Sequence, residues 1–316
     1  MSELGVSIDG RAPISEIPSQ ARAAEDGGAA TLWIACHLFL RDPITTAALA
    51  LAATHRIKVA LMAMSPYSVH PVFIAMAAAT LDEMYPGRVI LSLGAGAPAD
   101  LDAAGIASPK PVATLREAIA LCRSLFAGEP AFSAAEVLKS RARRLVNAPR
   151  KIPIVLAASR TNMLKLAGTA ADGVLISAAT SPAFVRACFD VAASGRVFRK
   201  LAIVYTRVAA TERDAMNVLR RPIGFVLRGA HHAENIRLSG AALDQGALAL
   251  AYAAEDWAVV DRLVSDDVVR RHSACGTPAQ VREKFDEYRA IGLDEVIIGG
   301  IDDAPGIAAA LAAART

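Results

Sequence analysis

His37 offers the clearest chemistry in this chain. It directly follows the apolar run Thr31–Cys36. An imidazole at a strand end can donate to a bound ring system or exchange protons with it near neutral pH. It can equally be hydrogen-bonded inside a loop. Asp9 stands in the same relation to Leu4–Ile8. His70 precedes Pro71 and can cap a helix or touch a ligand. His231 and His232 are adjacent, so on a helix they point in different directions, which argues against a metal site. The run Gly94-Ala95-Gly96-Ala97-Pro98-Ala99 fits a G-x-G-x-x-A pattern after a strand. Its glycines allow close backbone approach to a ligand. A dinucleotide fingerprint also needs a helix there, whereas the sequence predicts a loop through Ala99–Lys110. Ala158-Ser159-Arg160-Thr161-Asn162 joins a strand to a helix. Free N–H groups, the Ser159 hydroxyl and the Arg160 charge make a phosphate cradle, with Ser159 as an ordinary N-cap the alternative. Met62 and Met64, ahead of Ser65-Pro66, can pad an aromatic face or fill core.

These residues need a scaffold that gathers strand ends. Strand patterns fall at Leu4–Ile8, Thr31–Cys36, Lys58–Met64, Arg88–Leu93, Pro153–Ala158, Gly173–Ser177, Leu201–Thr206 and Glu295–Ile298. Helical patterns separate most of them, at about 13–26, 43–54, 71–84, 111–126, 161–170, 182–193 and 304–314. Parallel strands need crossovers, and repeated right-handed βα units close into a barrel. The expected fold is therefore an α/β (β/α)8 barrel over residues 1–316 as one domain. A helical insertion is expected at about 211–271, and a short hairpin within 127–150. In such a barrel, chemistry sits where strands end and loops begin. Strand-end positions also include Cys36, Ser177, Arg207 and Gly299-Gly300.

Composition narrows the class. The chain has 316 residues, 54% of them hydrophobic and 21% charged, which excludes disorder. Mean hydropathy is +0.36, an excess that is mostly alanine, yet no apolar run approaches the roughly 18 residues of a membrane span. A net charge of +3 predicts neither nucleic-acid binding nor a membrane surface. Lys139–Arg144 reads as a solvated hairpin edge. Cys36, Cys122, Cys188 and Cys275 show no metal spacing, and the N-terminus shows no secretory pattern. A reducing cytoplasm fits both.

The same residues carry a resemblance. Trp33, His37 and Arg41-Asp42-Pro43 resemble a segment of the bacterial-luciferase-like flavin monooxygenase superfamily. The branch most similar holds deazaflavin-dependent methylene-tetrahydromethanopterin reductases. Ser65-Pro66-Tyr67 with His70-Pro71, Thr80-Leu81-Asp82-Glu83 with Gly87-Arg88, and Gly276-Thr277-Pro278 with Gly292-Leu293-Asp294-Glu295 resemble further segments in order. The resemblance implies a barrel holding flavin mononucleotide (FMN) or the deazaflavin coenzyme F-420 at its mouth. It implies a non-prolyl cis peptide at Met62-Ala63 behind the ring, and a cofactor phosphate at the loops after strands four and five. The chain departs from relatives at Cys36, where Asp is common before the histidine, and at Ala97, where some members carry Glu. It also departs at Met62 and at Arg160.

The reading that results is a flavin- or deazaflavin-dependent oxidoreductase acting on a small organic substrate, with no metal. Cofactor contacts are expected from Cys36, Met62, Ala63, Met64, Ser65, Gly94, Ala95, Gly96, Ala158, Ser159, Arg160 and Thr161. His37 and Asp9 are the expected catalytic residues. A flavin-binding barrel without turnover and an NAD-dependent Rossmann dehydrogenase are the rivals. Helices 43–54 and 71–84 are apolar nearly all round, and an outer barrel helix needs only one apolar face. They are therefore expected to pack in a homodimer.

Overall fold

The computed structural model describes residues 2–134 and 137–315, with backbone alone at 131–134 and 139–142. Eight parallel strands close on themselves: β1 Glu3–Ile8, β2 Thr31–Ala35, β3 Lys58–Met64, β4 Val89–Leu93, β5 Ile154–Ala157, β6 Gly173–Ile176, β7 Arg199–Val208 and β8 Glu295–Gly299. Each pairs with its neighbour in chain order, and β8 returns to β1 in the register Glu3↔Glu295 to Val6↔Ile298. The Rossmann alternative falls with this closure, because a doubly wound sheet is open.

The strands are short apolar runs because both faces are covered. Alternate residues point inward, where Trp33, Ala60, Ile90, Val155, Leu175, Leu201 and Ile297 fill the barrel. Their neighbours Leu32, Val59, Leu91, Ile154, Val174, Ala202 and Val296 meet the surrounding helices. Those helices start at defined points. Pro43, Pro71, Pro111, Pro182 and Pro278 occupy first-turn positions, where a missing N–H costs nothing. Asp42 and Ser181 cap through their side chains, and Thr277 with Gln280 forms a capping box.

Between β7 and the helix Pro278–Arg289 come five helices from Glu212–Leu227 to Asp266–His272, with their own buried cluster of Met216, Leu219, Ile223, Val260 and Val268. An antiparallel hairpin pairs Ala131–Ala134 with Lys139–Arg143. The structure also corrects the sequence reading. A helix, Pro98–Ala103, occupies the first part of the expected loop 99–110, and 104–110 are irregular; Pro98 sits at its first turn and Asp100 favours its N-terminus. The helix after β2 stops at Ala52 rather than at residue 54. A short strand, Ala274–Gly276, extends the sheet beside the end of β7.

Candidate active site

Inward alternation, carried to the strand ends, reaches Ser7 and Asp9 on β1, Ala35 and His37 on β2, Gly94 after β4, Ala157 on β5, Tyr205 on β7 and Gly299 on β8. Apart from His37 and Tyr205, these side chains are small. They leave room above the filled interior.

On β3 the pattern breaks. The Met62-Ala63 peptide is cis, and pairing with β4 jumps from Leu61↔Leu91 to Met64↔Leu93. Met62 stays within the barrel. Met64 does not face the mouth; the register shift turns it outward into the helix-covered core, where it is 1% exposed. Both neighbours grip this segment. Cys36 N donates to Met62 O at 2.5 Å and Gly94 N to Met64 O at 3.1 Å. A Cβ on Gly94 would stand 2.9 Å from Ala63 Cβ, so only glycine lets the β4 loop lie against it.

Ser65 is buried and turns its hydroxyl to the glycine loop, donating to Ala95 O at 3.0 Å. Gly96 takes φ +89°, a conformation open to glycine. After β5, Ala158 is buried and Ser159 half-buried, while Arg160 and Thr161 are exposed. Ser159 is not the helix cap. Arg160 occupies that position and makes no side-chain capping bond, so the first N–H groups of Thr161–Ala170 have no side-chain acceptor. This helix end lies at the mouth, after β5.

His37 is exposed, and its carbonyl accepts from Leu40 N at 3.3 Å. Burial, then Asp42, pushes the neighbouring Cys36 thiol up to about 11, so it stays protonated. Asp9 accepts from Arg11 N at 2.9 Å and pairs with Arg11 Nε at 3.1 Å. His70 lies apart as a helix cap, Nδ1 accepting from Val72 N at 3.2 Å. His231 and His232 lie in a 3-10 turn and do not diverge; their rings approach to 4.3 Å, with His231 folded beside Gly229. Among the described residues no group of three His, Cys, Asp or Glu could hold a metal.

Sequence reasoning missed Tyr205. Strand alternation through Leu201, Ile203 and Tyr205 is the signal that could have found it. Burial, then Asp9, pushes its phenol up to about 12, with Arg11 opposing. The insertion was also underused. Leu219 lies near Gly300, and Asn235 binds Ala179 O and Ser181 N after β6 at 2.7 and 2.9 Å. His231 is held below its usual pKa by burial and by the Arg160 charge. The insertion therefore leans over the mouth from β7 towards the β5 and β6 loops. A depression of about 880 Å³ lies at the opposite end, lined by Glu3, Lys58, Arg199, Arg289 and Asp294. It is set at strand starts, where barrels do not place chemistry.

A closed parallel barrel with a small-residue mouth, a glycine loop after β4 and an uncapped helix after β5 defines the class as a (β/α)8 barrel. The luciferase-like monooxygenase family model matches residues 1–295, and the chain belongs to that family. It is 30% identical to a 5,10-methylenetetrahydromethanopterin reductase of Archaeoglobus fulgidus over 90% of this chain and 89% of that protein. The corresponding reductase of Methanolobus tindarius is 28% identical, over 91% and 90%. Among solved structures, the coenzyme F-420-dependent tetrahydromethanopterin reductase from Methanopyrus kandleri superposes with a TM-score of 0.89 at 23% identity, covering 98% and 97% of the two chains.

Proposed function

We propose that this protein uses reduced coenzyme F-420 to reduce a one-carbon unit on a pterin-like substrate at the barrel mouth. At the coarser level, the chain is a flavin- or deazaflavin-dependent oxidoreductase. The observation that supports the finer reading is the 30% identity to a 5,10-methylenetetrahydromethanopterin reductase over 90% of the chain. The small-residue floor around Ala63, Gly94 and Ala157, with the uncapped helix end at Arg160 after β5, suits a flat ring with a phosphate tail. When bound, such a ring supplies a hydride.

The backbone of Met62–Ser65 would back the ring, with Cys36 at its edge and the Met64 side chain turned away. Gly94, Ala95 and Gly96 would let the chain close on it. Ala158, Ser159, Arg160 and Thr161 would hold the phosphate through N–H groups, a hydroxyl and a charge. His37 is exposed at the mouth and would exchange a proton with ring or substrate. Asp9, steadied by Arg11, follows the adjacent strand β1. We read residues 1–316 as one domain with the 211–271 insertion as its partial cover.

Titration with F-420 and with FMN tests this reading. F-420 should bind at micromolar concentration or tighter, with a change in its fluorescence. Binding of FMN alone, with oxygen consumed on reduction, would instead make the protein a monooxygenase. Cofactor binding without turnover would leave a non-catalytic barrel.

We also propose a homodimer through helices 43–52 and 71–84. Ala47, Ala50, Ala75, Ala78 and Ala79 face the barrel, while Phe73, Met76 and Met84 are 64%, 44% and 58% exposed on the outer side. An outer apolar strip of this kind is what a second subunit would cover. Sedimentation should give a dimer at micromolar concentration. Four free cysteines, three of them buried, fit a cytoplasmic setting. No helix among the described residues is long and apolar enough to cross a membrane.

A further inference from the structure

Tyr205 has a polar end that the protein does not use. Tyr67, Tyr252 and Tyr288 each donate their hydroxyl to a backbone carbonyl. The half-buried Tyr205 hydroxyl makes no hydrogen bond among the described residues. Its ring, in contrast, is closely held. Tyr205 pairs with Gly299 across β7 and β8. A Cβ on Gly299 would meet the ring at 3.4 Å and Ser7 Oγ at 3.2 Å, and one on Gly300 would meet the ring at 3.2 Å. The glycine pair thus lets the ring lie against the backbone. The buried cluster of the insertion, which includes Leu219, packs against Tyr205.

The two glycines also open a window across β8. Gly299 puts no side chain between Tyr205 on β7 and Ser7 on β1, and Asp9, two residues past Ser7, is close enough to act on the Tyr205 phenol. Asp9 is an acceptor anchored by Arg11, and Tyr205 keeps its proton and can only donate well. Strands β7, β8 and β1 lie away from the β3–β5 side, where the glycine loop and the uncapped helix end stand.

We propose that Tyr205 is a substrate-orienting residue, its hydroxyl donating to the nitrogen or oxygen bonded to the carbon that receives hydride. Asp9 accepts from a neighbouring N–H of the same substrate. This rests on the reductase reading above. In the reduction a C–H bond forms from the hydride of the reduced cofactor. The C–N or C–O electron pair moves onto the heteroatom, and that atom takes its proton from His37, which solvent at the mouth reprotonates. Tyr205 stays protonated throughout and fixes which heteroatom faces the ring. A pinned donor of this kind discriminates strongly against substrates that lack the acceptor.

The test compares the F-420-loaded wild type with Tyr205→Phe, using 5,10-methylenetetrahydromethanopterin as the probe. The substitution keeps the ring that packs on Gly299 and Gly300, and a thermal melt checks the fold. F-420 affinity should stay within twofold. The kcat/KM for the probe should fall by roughly 10–100-fold, and calorimetric affinity of the oxidised, loaded enzyme for the probe should fall roughly 5–10-fold. Values within twofold of wild type for both would overturn the role of Tyr205 while leaving the reductase reading intact. A wild type that binds neither F-420 nor FMN would overturn the reading itself, and this proposal with it.

Discussion

The two ends of the barrel treat polar groups in opposite ways. At the strand starts, charged side chains are enclosed and matched. Glu295 is fully buried and accepts from Trp33 Nε1 at 2.8 Å and from Arg199 at 3.1 Å. Glu25 takes the N–H groups of His55, Arg56 and Ile57 at 2.6–3.1 Å. Arg88 donates to Thr54 and to Ile57 O. At the mouth, His37 and Arg160 are exposed, and among the described residues the helix beginning at Thr161 has no side-chain cap and the Tyr205 hydroxyl makes no hydrogen bond. The matched groups tie the strand starts together, and the mouth leaves donors unmatched, at the end where barrels place chemistry.

Substitutions at the two ends should therefore separate stability from function. The largest effect is expected at the mouth. His37→Ala should lower kcat by roughly 10²–10⁴-fold, the span of general acid–base catalysis, with unfolding free energy within about 0.5 kcal/mol of wild type. Steady-state rates and urea melts check the two halves. At the floor the pattern reverses. Glu295→Ala leaves the Trp33 N–H and Arg199 without their buried acceptor and should cost about 3–4 kcal/mol in urea unfolding. F-420 affinity of the folded protein should change less than twofold. An equal loss of cofactor binding would join the two ends into one unit and break the comparison.

Two milder substitutions sharpen it. Gly94→Leu drives a side chain towards Ala63 and into the mouth, and should weaken cofactor binding by about 100-fold. Arg160→Ala should weaken it by about 10-fold, an effect that shrinks as salt is raised. Fluorescence titration reads both.

How far the molecule could be read from its residues follows the same division. All eight strands were visible, because each is a short apolar run bounded by turn residues, and parallel strands buried on both faces leave that mark. Asp9, His37, Gly94 and Ser159 could be placed at strand ends because strand ends are easy to locate once strands are. Met64 was misplaced because a register shift inside one strand leaves no trace in an apolar run. Tyr205 was missed because it sits inside a run that reads as core, although alternation through Leu201 and Ile203 turns it inward. The Pro98–Ala103 helix is about two turns long, too short for periodicity to announce it. The reach of the insertion over the β5 and β6 loops depends on Asn235, whose partners lie more than 50 residues away.

The smallest predicted effect lies within the floor, where two buried glutamates differ in sign. Burial pushes both carboxyls towards protonation. At Glu25, three backbone N–H groups and the Arg56 charge outweigh it, and its pKa is held below the ordinary value. At Glu295, burial prevails over Trp33 and Arg199, and its pKa is raised. A group with a lowered folded pKa contributes stability that is present above its unfolded pKa and lost as pH falls through the folded value. A raised one contributes stability that is present below its unfolded pKa and lost as pH rises through the folded value. Glu25→Gln should therefore cost about 1 kcal/mol at pH 7, and the difference from wild type should shrink as pH drops below about 4. Glu295→Gln keeps the acceptor that Trp33 needs and removes a charge that burial disfavours. Its cost relative to wild type should accordingly be greatest in acid and should not grow towards neutrality. Urea midpoints at pH 3, 5 and 7 for the three proteins give the two slopes. If both differences moved in the same direction with pH, the floor would be governed by net charge and not by how each carboxylate is matched.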